Sequence, residues 1–179
     1  MAEKKKLTTT LTFRVNREYE KMLREEAKAK KITLNTLADQ IFGEYVEWHR
    51  YSERFGTIIM SRDAFKMLLD SLNEKEIIDL AIKIAEKAPR EFILFKWKKI
   101  TPEYVVTFLK MYFDHCGYGN YDYHYESDED KSIFSIRHML GLSGSLFLET
   151  FFKTVVKSIL NEPCESTLTS DSLVVSFTT

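Results

Sequence analysis

Near the start of the chain, Thr10-Leu11-Thr12-Phe13-Arg14-Val15 alternates polar and apolar side chains. Successive side chains of a strand point to opposite faces, so Thr10, Thr12 and Arg14 share one face and Leu11, Phe13 and Val15 the other. Two hydroxyls and a guanidinium are groups that hydrogen-bond base edges, and arginine on guanine is the commonest specific contact in the major groove. A strand of this length cannot bury its apolar face alone. Paired with the same strand of a second copy it becomes a two-stranded antiparallel ribbon, narrow enough to enter that groove. The residues therefore imply a homodimer that reads double-stranded DNA.

The elements that must hold this strand follow it directly. Asn16 suits the N-cap of a first helix, with Glu18 favourable in its first turn, and Tyr19, Met22, Leu23 and Ala27 keep helical spacing. Lys30-Lys31-Ile32 breaks the pattern. Thr33 then caps a second helix with Leu34, Leu37, Ala38, Ile41, Phe42, Tyr45 and Val46 along one stripe. The free N–H groups near Thr33 to Thr36 suit a phosphate, helped by the neighbouring lysines. Base reading thus falls to Thr10, Thr12 and Arg14, and phosphate anchoring to Lys31, Thr33 and Asn35, a usual division in DNA recognition.

With these residues in place, the segment resembles the ribbon–helix–helix (Arc/MetJ-type) family of DNA-binding repressors. The matching stretches are the strand 10–15, the helix capped by Asn16, and Ile32-Thr33-Leu34-Asn35-Thr36-Leu37. The resemblance implies an obligate dimer whose Thr10, Thr12 and Arg14 read the groove. It covers only the first fifty or so residues. One departure is that Lys30-Lys31 stands where the family often has a glycine.

Charge supports the same division. The 179 residues carry a net charge of −1, but residues 1–31 hold ten Lys/Arg against five Asp/Glu, and residues 57–179 hold fourteen against eighteen. A basic head on an acidic body suits a protein that meets phosphate at one end. Lys4, Lys5 and Lys6 are expected to form an arm that adds phosphate attraction without sequence information. The expected domains are 7–51 for DNA binding and dimerisation, and 57–179 for effector sensing or oligomerisation. Two cysteines make no disulfide framework. No apolar run reaches membrane-span length and no signal-peptide stretch opens the chain, so the expected place is the cytoplasm, with no membrane partner.

Beyond a polar linker at Ser52-Glu53-Arg54, the sequence predicts a short strand at 57–60 and a helix from Ser61 to Leu72. A second helix capped by Asn73 is expected to end at Lys87-Ala88-Pro89, because proline disfavours helical geometry in the residue before it. Phe92 to Phe95 then reads as a buried strand, and Thr101-Pro102-Glu103 as a helix start running to about Asp114. Alternation in 121–127 and 132–139 around Asp128-Glu129-Asp130 predicts a hairpin. A long helix to Leu160 and a final strand at 172–177 complete an α+β layout, helices on a mainly antiparallel sheet.

Catalytic signatures are lacking: no GxSxG, Walker A, GxGxxG or HExxH occurs, and the expectation is a protein that is not an enzyme and takes no cofactor. His115, Cys116, His124 and His138 are the remaining metal candidates, but their spacing defines no site. Nickel-responsive repressors, which share this kind of head, use an HxH pair followed by a cysteine, and this chain has neither. Tyr112, Phe113, Tyr118, Tyr121, Tyr123 and Tyr125 form an aromatic-rich stretch that reads foremost as core, with a pocket for a planar effector as the alternative. Arg137-His138 beside Gly141 is a further anion-site candidate. The expected function is a sequence-specific transcriptional regulator, a homodimer or tetramer with a small-molecule or protein effector. The alternatives are an antitoxin-like adaptor and a metal-responsive repressor.

Overall fold

The computed structural model describes residues 8–179. Lys4, Lys5 and Lys6, and the start of the first domain at Leu7, lie outside the described residues. The chain divides into two compact units, with the boundary between Arg50 and Tyr51.

In the first unit, Asn16 caps α1 (Arg17–Ala29) by accepting the Glu18 N–H at 2.8 Å, and Thr33 caps α2 (Leu34–Glu44) by accepting the Thr36 N–H at 3.0 Å. A π-helical segment follows at Tyr45–His49, then the short α3 (Arg50–Ser52). The expected strand 10–15 is not formed, and the segment 8–16 carries no regular secondary structure. A ladder needs a second strand. Among the described residues four strands form, and they pair only with one another.

The second unit contains α4 (Arg62–Asp70), α5 (Glu74–Trp97), α6 (Pro102–Cys116), β1 (Gly119–Glu126), β2 (Lys131–His138), α7 (Gly141–Leu160), β3 (Cys164–Leu168) and β4 (Ser172–Thr178). The caps read from sequence all act: Ser61 accepts from Ala64, Asn73 and Glu76 form a reciprocal capping box, and Thr101 accepts from Tyr104. The sheet is antiparallel in the order β1-β2-β4-β3. Its buried face is set by period two: Ser132, Phe134, Ile136 and His138 of β2, and Leu173, Val175 and Phe177 of β4. Against it packs α7, with Phe147, Leu148, Phe151, Phe152, Val155 and Val156 buried. Phe134 meets Phe152 at 5.4 Å between ring centroids. The fold class is α+β.

Three expectations are corrected. Residues 57–60 form no strand, and Ile58 and Ile59 stand exposed. Pro89 does not stop its helix: α5 runs on to Trp97, which makes 92–95 helical instead of a strand. Proline removes one intrahelical bond. The packing beyond it supplies the compensation, because Phe92 meets Tyr51, Phe55 and Phe108 at 5.9, 5.5 and 5.4 Å. The linker around 52–54 is likewise not wholly solvated, as Tyr51 and Phe55 close on Phe92 and Phe95. Strand β3 had no counterpart in the sequence reading.

Candidate nucleic-acid interface

Thr10, Thr12 and Arg14 are all exposed, and among the described residues Arg14 makes no hydrogen bond or ion pair. Their apolar neighbours are exposed as well: Leu11 is 67% accessible, Phe13 58% and Val15 60%. Phe13 nevertheless reaches Phe42 of α2, with ring centroids 5.5 Å apart. The alternation read from sequence therefore places one apolar side chain against the helices, although no strand pairs there.

The turn between the helices has a defined geometry. Lys31 adopts φ of +55°, Lys31 N donates to Lys28 O at 3.1 Å, and Ile32 N donates to Ala27 O at 3.0 Å. These two bonds are the paired closing bonds of a Schellman helix end, with the left-handed residue in the position glycine normally takes. The lysine that departs from the family pattern thus adopts the backbone conformation a glycine would provide. It turns the chain so that Thr33 begins α2 two residues later.

At that helix start, Thr33 and Thr36 share a hydrogen bond between hydroxyls of 2.8 Å in addition to the cap. The hydroxyl of Thr33 is therefore occupied. The N–H groups of Leu34 and Asn35 have no intrahelical acceptor, as in the first turn of any helix. Lys31, Thr33 and Asn35 are exposed around them. Two backbone donors are thus open at the start of α2, the kind of position that favours an anion, with exposed Lys31 three residues before Leu34 in the chain.

The same unit buries little. In α1 only Ala27 is buried, and in α2 only Leu37. Tyr19 and Met22 of α1, Ile41 and Phe42 of α2, and Tyr45 and Val46 of the π segment are large apolar side chains left open, together with Leu11, Phe13 and Val15. The helical stripes predicted by their spacing are therefore largely uncovered by this unit's own residues.

The metal candidates are dispersed. Among the described residues no group of three His, Cys, Asp or Glu side chains is placed to hold an ion. His124 is exposed on β1, while His115 and Cys116 are half-buried at the end of α6. Burial pushes the Cys116 thiol up to about 12 and the Cys164 thiol to about 11, so neither is a thiolate near neutrality. His138 is buried and fully engaged: the Leu140 N–H donates to its Nδ1 at 3.3 Å, and its Nε2 lies 2.9 Å from Ser145 Oγ. Nδ1 as acceptor leaves the proton on Nε2, which donates to Ser145. Arg137, the preceding residue of β2, is exposed, so the two side chains lie on opposite faces of the strand.

The aromatic stretch divides in two. Phe113 is buried, and Tyr112 stacks on Phe151 at 4.9 Å and shares a 2.9 Å hydrogen bond with the hydroxyl of Tyr118. These three belong to the core. Tyr123 and Tyr125 instead line an open groove of about 520 Å³ beside α6. No family model and no curated protein matches the chain.

Proposed function

We propose that the protein is a sequence-specific DNA-binding transcriptional regulator acting as a homodimer, with the second unit as its ligand-sensing or interaction domain. One observation carries the reading: nine large apolar side chains of the first unit, three of them in segment 10–15, stay open, while among its described residues only Ala27, Leu37 and Trp48 are buried. A second copy bringing its own segment 10–15 supplies both the missing strand and the missing cover. The ribbon so formed leaves Thr10, Thr12 and Arg14 outward, toward base edges, and the two α2 starts toward phosphates.

Selection of bound duplexes from a random pool, at two salt concentrations, tests the whole reading. A common motif with two-fold symmetry is expected, with affinity falling as salt rises. Arg14→Ala is expected to lose about 1–3 kcal/mol of specific binding while the dimer persists. A chain that sediments as a monomer and enriches no sequence would end the proposal.

A further inference from the structure

The groove beside α6 has one feature its neighbours do not explain. Lys110 lies with its Nζ 3.4 Å from the centroid of the Tyr123 ring, and among the described residues its ammonium makes no hydrogen bond or ion pair. Burial lowers its pKa from the ordinary lysine value, with the Asp114 charge opposing. A cation held on an aromatic face and partly withdrawn from water, with its donors unused, is arranged to meet an anion.

The rest of the groove narrows the choice of anion. Glu103 stands seven residues earlier on α6, two turns away, or about 10.5 Å along the axis. Its carboxylate has no partner among the described residues. Other potential donors and acceptors are already engaged: Thr107 donates to Glu103 O at 2.7 Å, the Tyr125 hydroxyl to Asp130, and Tyr123 shares its hydroxyl with Ser132 at 3.0 Å. Val106 and the half-open ring of Tyr125 line the same groove. Glu103 and Asp130 add negative charge, which opposes a polyanion such as a phosphate ester.

We infer that this groove binds a small monocarboxylate with a flat apolar body and a hydrogen-bond donor at its far end. The carboxylate meets Lys110, the body lies along Val106 and Tyr125, and the distal donor reaches Glu103. The inference deepens the sensing role proposed for the second unit and names its ligand chemistry. It needs no DNA for its test, so its failure leaves the DNA reading untouched.

The experiment is calorimetric titration of the full chain with 4-hydroxyphenylacetate, phenylacetate and phenyl phosphate at low salt. Saturable binding of one 4-hydroxyphenylacetate per chain is expected. Lys110→Met is expected to weaken it about tenfold or more, the loss of a charge-assisted hydrogen bond. Glu103→Gln is expected to weaken the hydroxylated probe without weakening phenylacetate. Amide chemical-shift changes on the unaltered chain should centre on Thr107, Lys110 and Tyr123 to Tyr125, which checks the location without relying on a variant. The proposal is overturned by no saturable binding, by unchanged affinity in Lys110→Met, by shifts centred elsewhere, or by phenyl phosphate binding more tightly.

Discussion

Replacing Lys31 by glycine separates the two roles this residue is given, because they respond with opposite signs. Its φ of +55° places a β-carbon in left-handed backbone, at a cost of about 1–2 kcal/mol for an ordinary residue. Glycine removes that cost but gives back part of it through its greater freedom in the unfolded chain. The two closing bonds, at 3.1 and 3.0 Å, are backbone bonds and survive the change. Lys31→Gly should therefore stabilise the first unit by about 0.5–1 kcal/mol. The two tryptophans fall one in each unit, so in a Trp97→Phe background urea unfolding followed by Trp48 fluorescence reads the first unit at fixed protein concentration. DNA binding should move the other way: one phosphate-facing cation is lost, and the slope of log affinity on log salt should fall by about 0.9. Lys31→Ala should show the same salt effect with no gain in stability, since it keeps the β-carbon. If Lys31→Gly destabilises the unit, or Lys31→Ala stabilises it equally, the left-handed turn has been misjudged.

Phe13→Asp puts a charge on the face that meets Phe42 and, in the proposed dimer, the second copy; sedimentation should show the dimer constant weakened by about 100-fold or more, and an unchanged dimer would remove this face from the interface. Gly119→Ala would drive a methyl into the Arg137 carbonyl oxygen, a backbone atom of the paired strand, and should cost about 1–3 kcal/mol in a urea titration; a variant that unfolds with the parent would contradict the tight β1–β2 approach. Burial lowers the pKa of His138, with Asp171 opposing. Between that lowered value and the ordinary 6.5 the unfolded chain binds more protons, so the stability it contributes is complete above about pH 6.5 and is lost as pH falls through the window. Titrations at several pH values should show this slope reduced in His138→Gln; an identical slope would assign the acid sensitivity elsewhere.

What could be read from the sequence was mostly local chemistry. Asn16, Thr33, Ser61, Asn73 and Thr101 each announce a helix because the capping side chain lies within three residues of the N–H it satisfies. The charged turn at 128–130 announces its hairpin because it separates two alternating stretches that pair residue by residue. Pro89 misleads because the local rule has a tertiary competitor. Ile77, Ala81 and Ala85 lie on one face of α5, and the next position on that face is Pro89 itself, buried and followed by buried Phe92 and Ile93. A proline that serves as a core residue keeps the helical period intact, and the period was the better guide. Strand β3 escaped notice because Cys164, Ser166 and Leu168 give its inner face so little apolar character. Lys110 and Glu103 carried no signal at all: what distinguishes them is the position of Tyr123, and only the packing of β1 beside α6 provides that.

The two units differ in how far each builds a core of its own, and this asymmetry is the physical core of the functional reading. The second unit encloses a full aromatic core, Phe113, Phe134, Phe147, Phe151, Phe152 and Phe177, although Ile58, Ile59, Met67 and Met139 stay open at its surface. At about 130 residues a chain can do this alone. The first unit, near fifty residues, is of a size at which burial is marginal, and its open side chains are too many and too large to be an ordinary surface. In the proposed dimer, that unit would gain its stability from association. Ordering of segment 10–15 would then be tied to dimer formation, since the strand and its partner would arise together. A groove reader of the proposed kind would be assembled only where two copies meet, which would make any influence on dimerisation an influence on DNA reading.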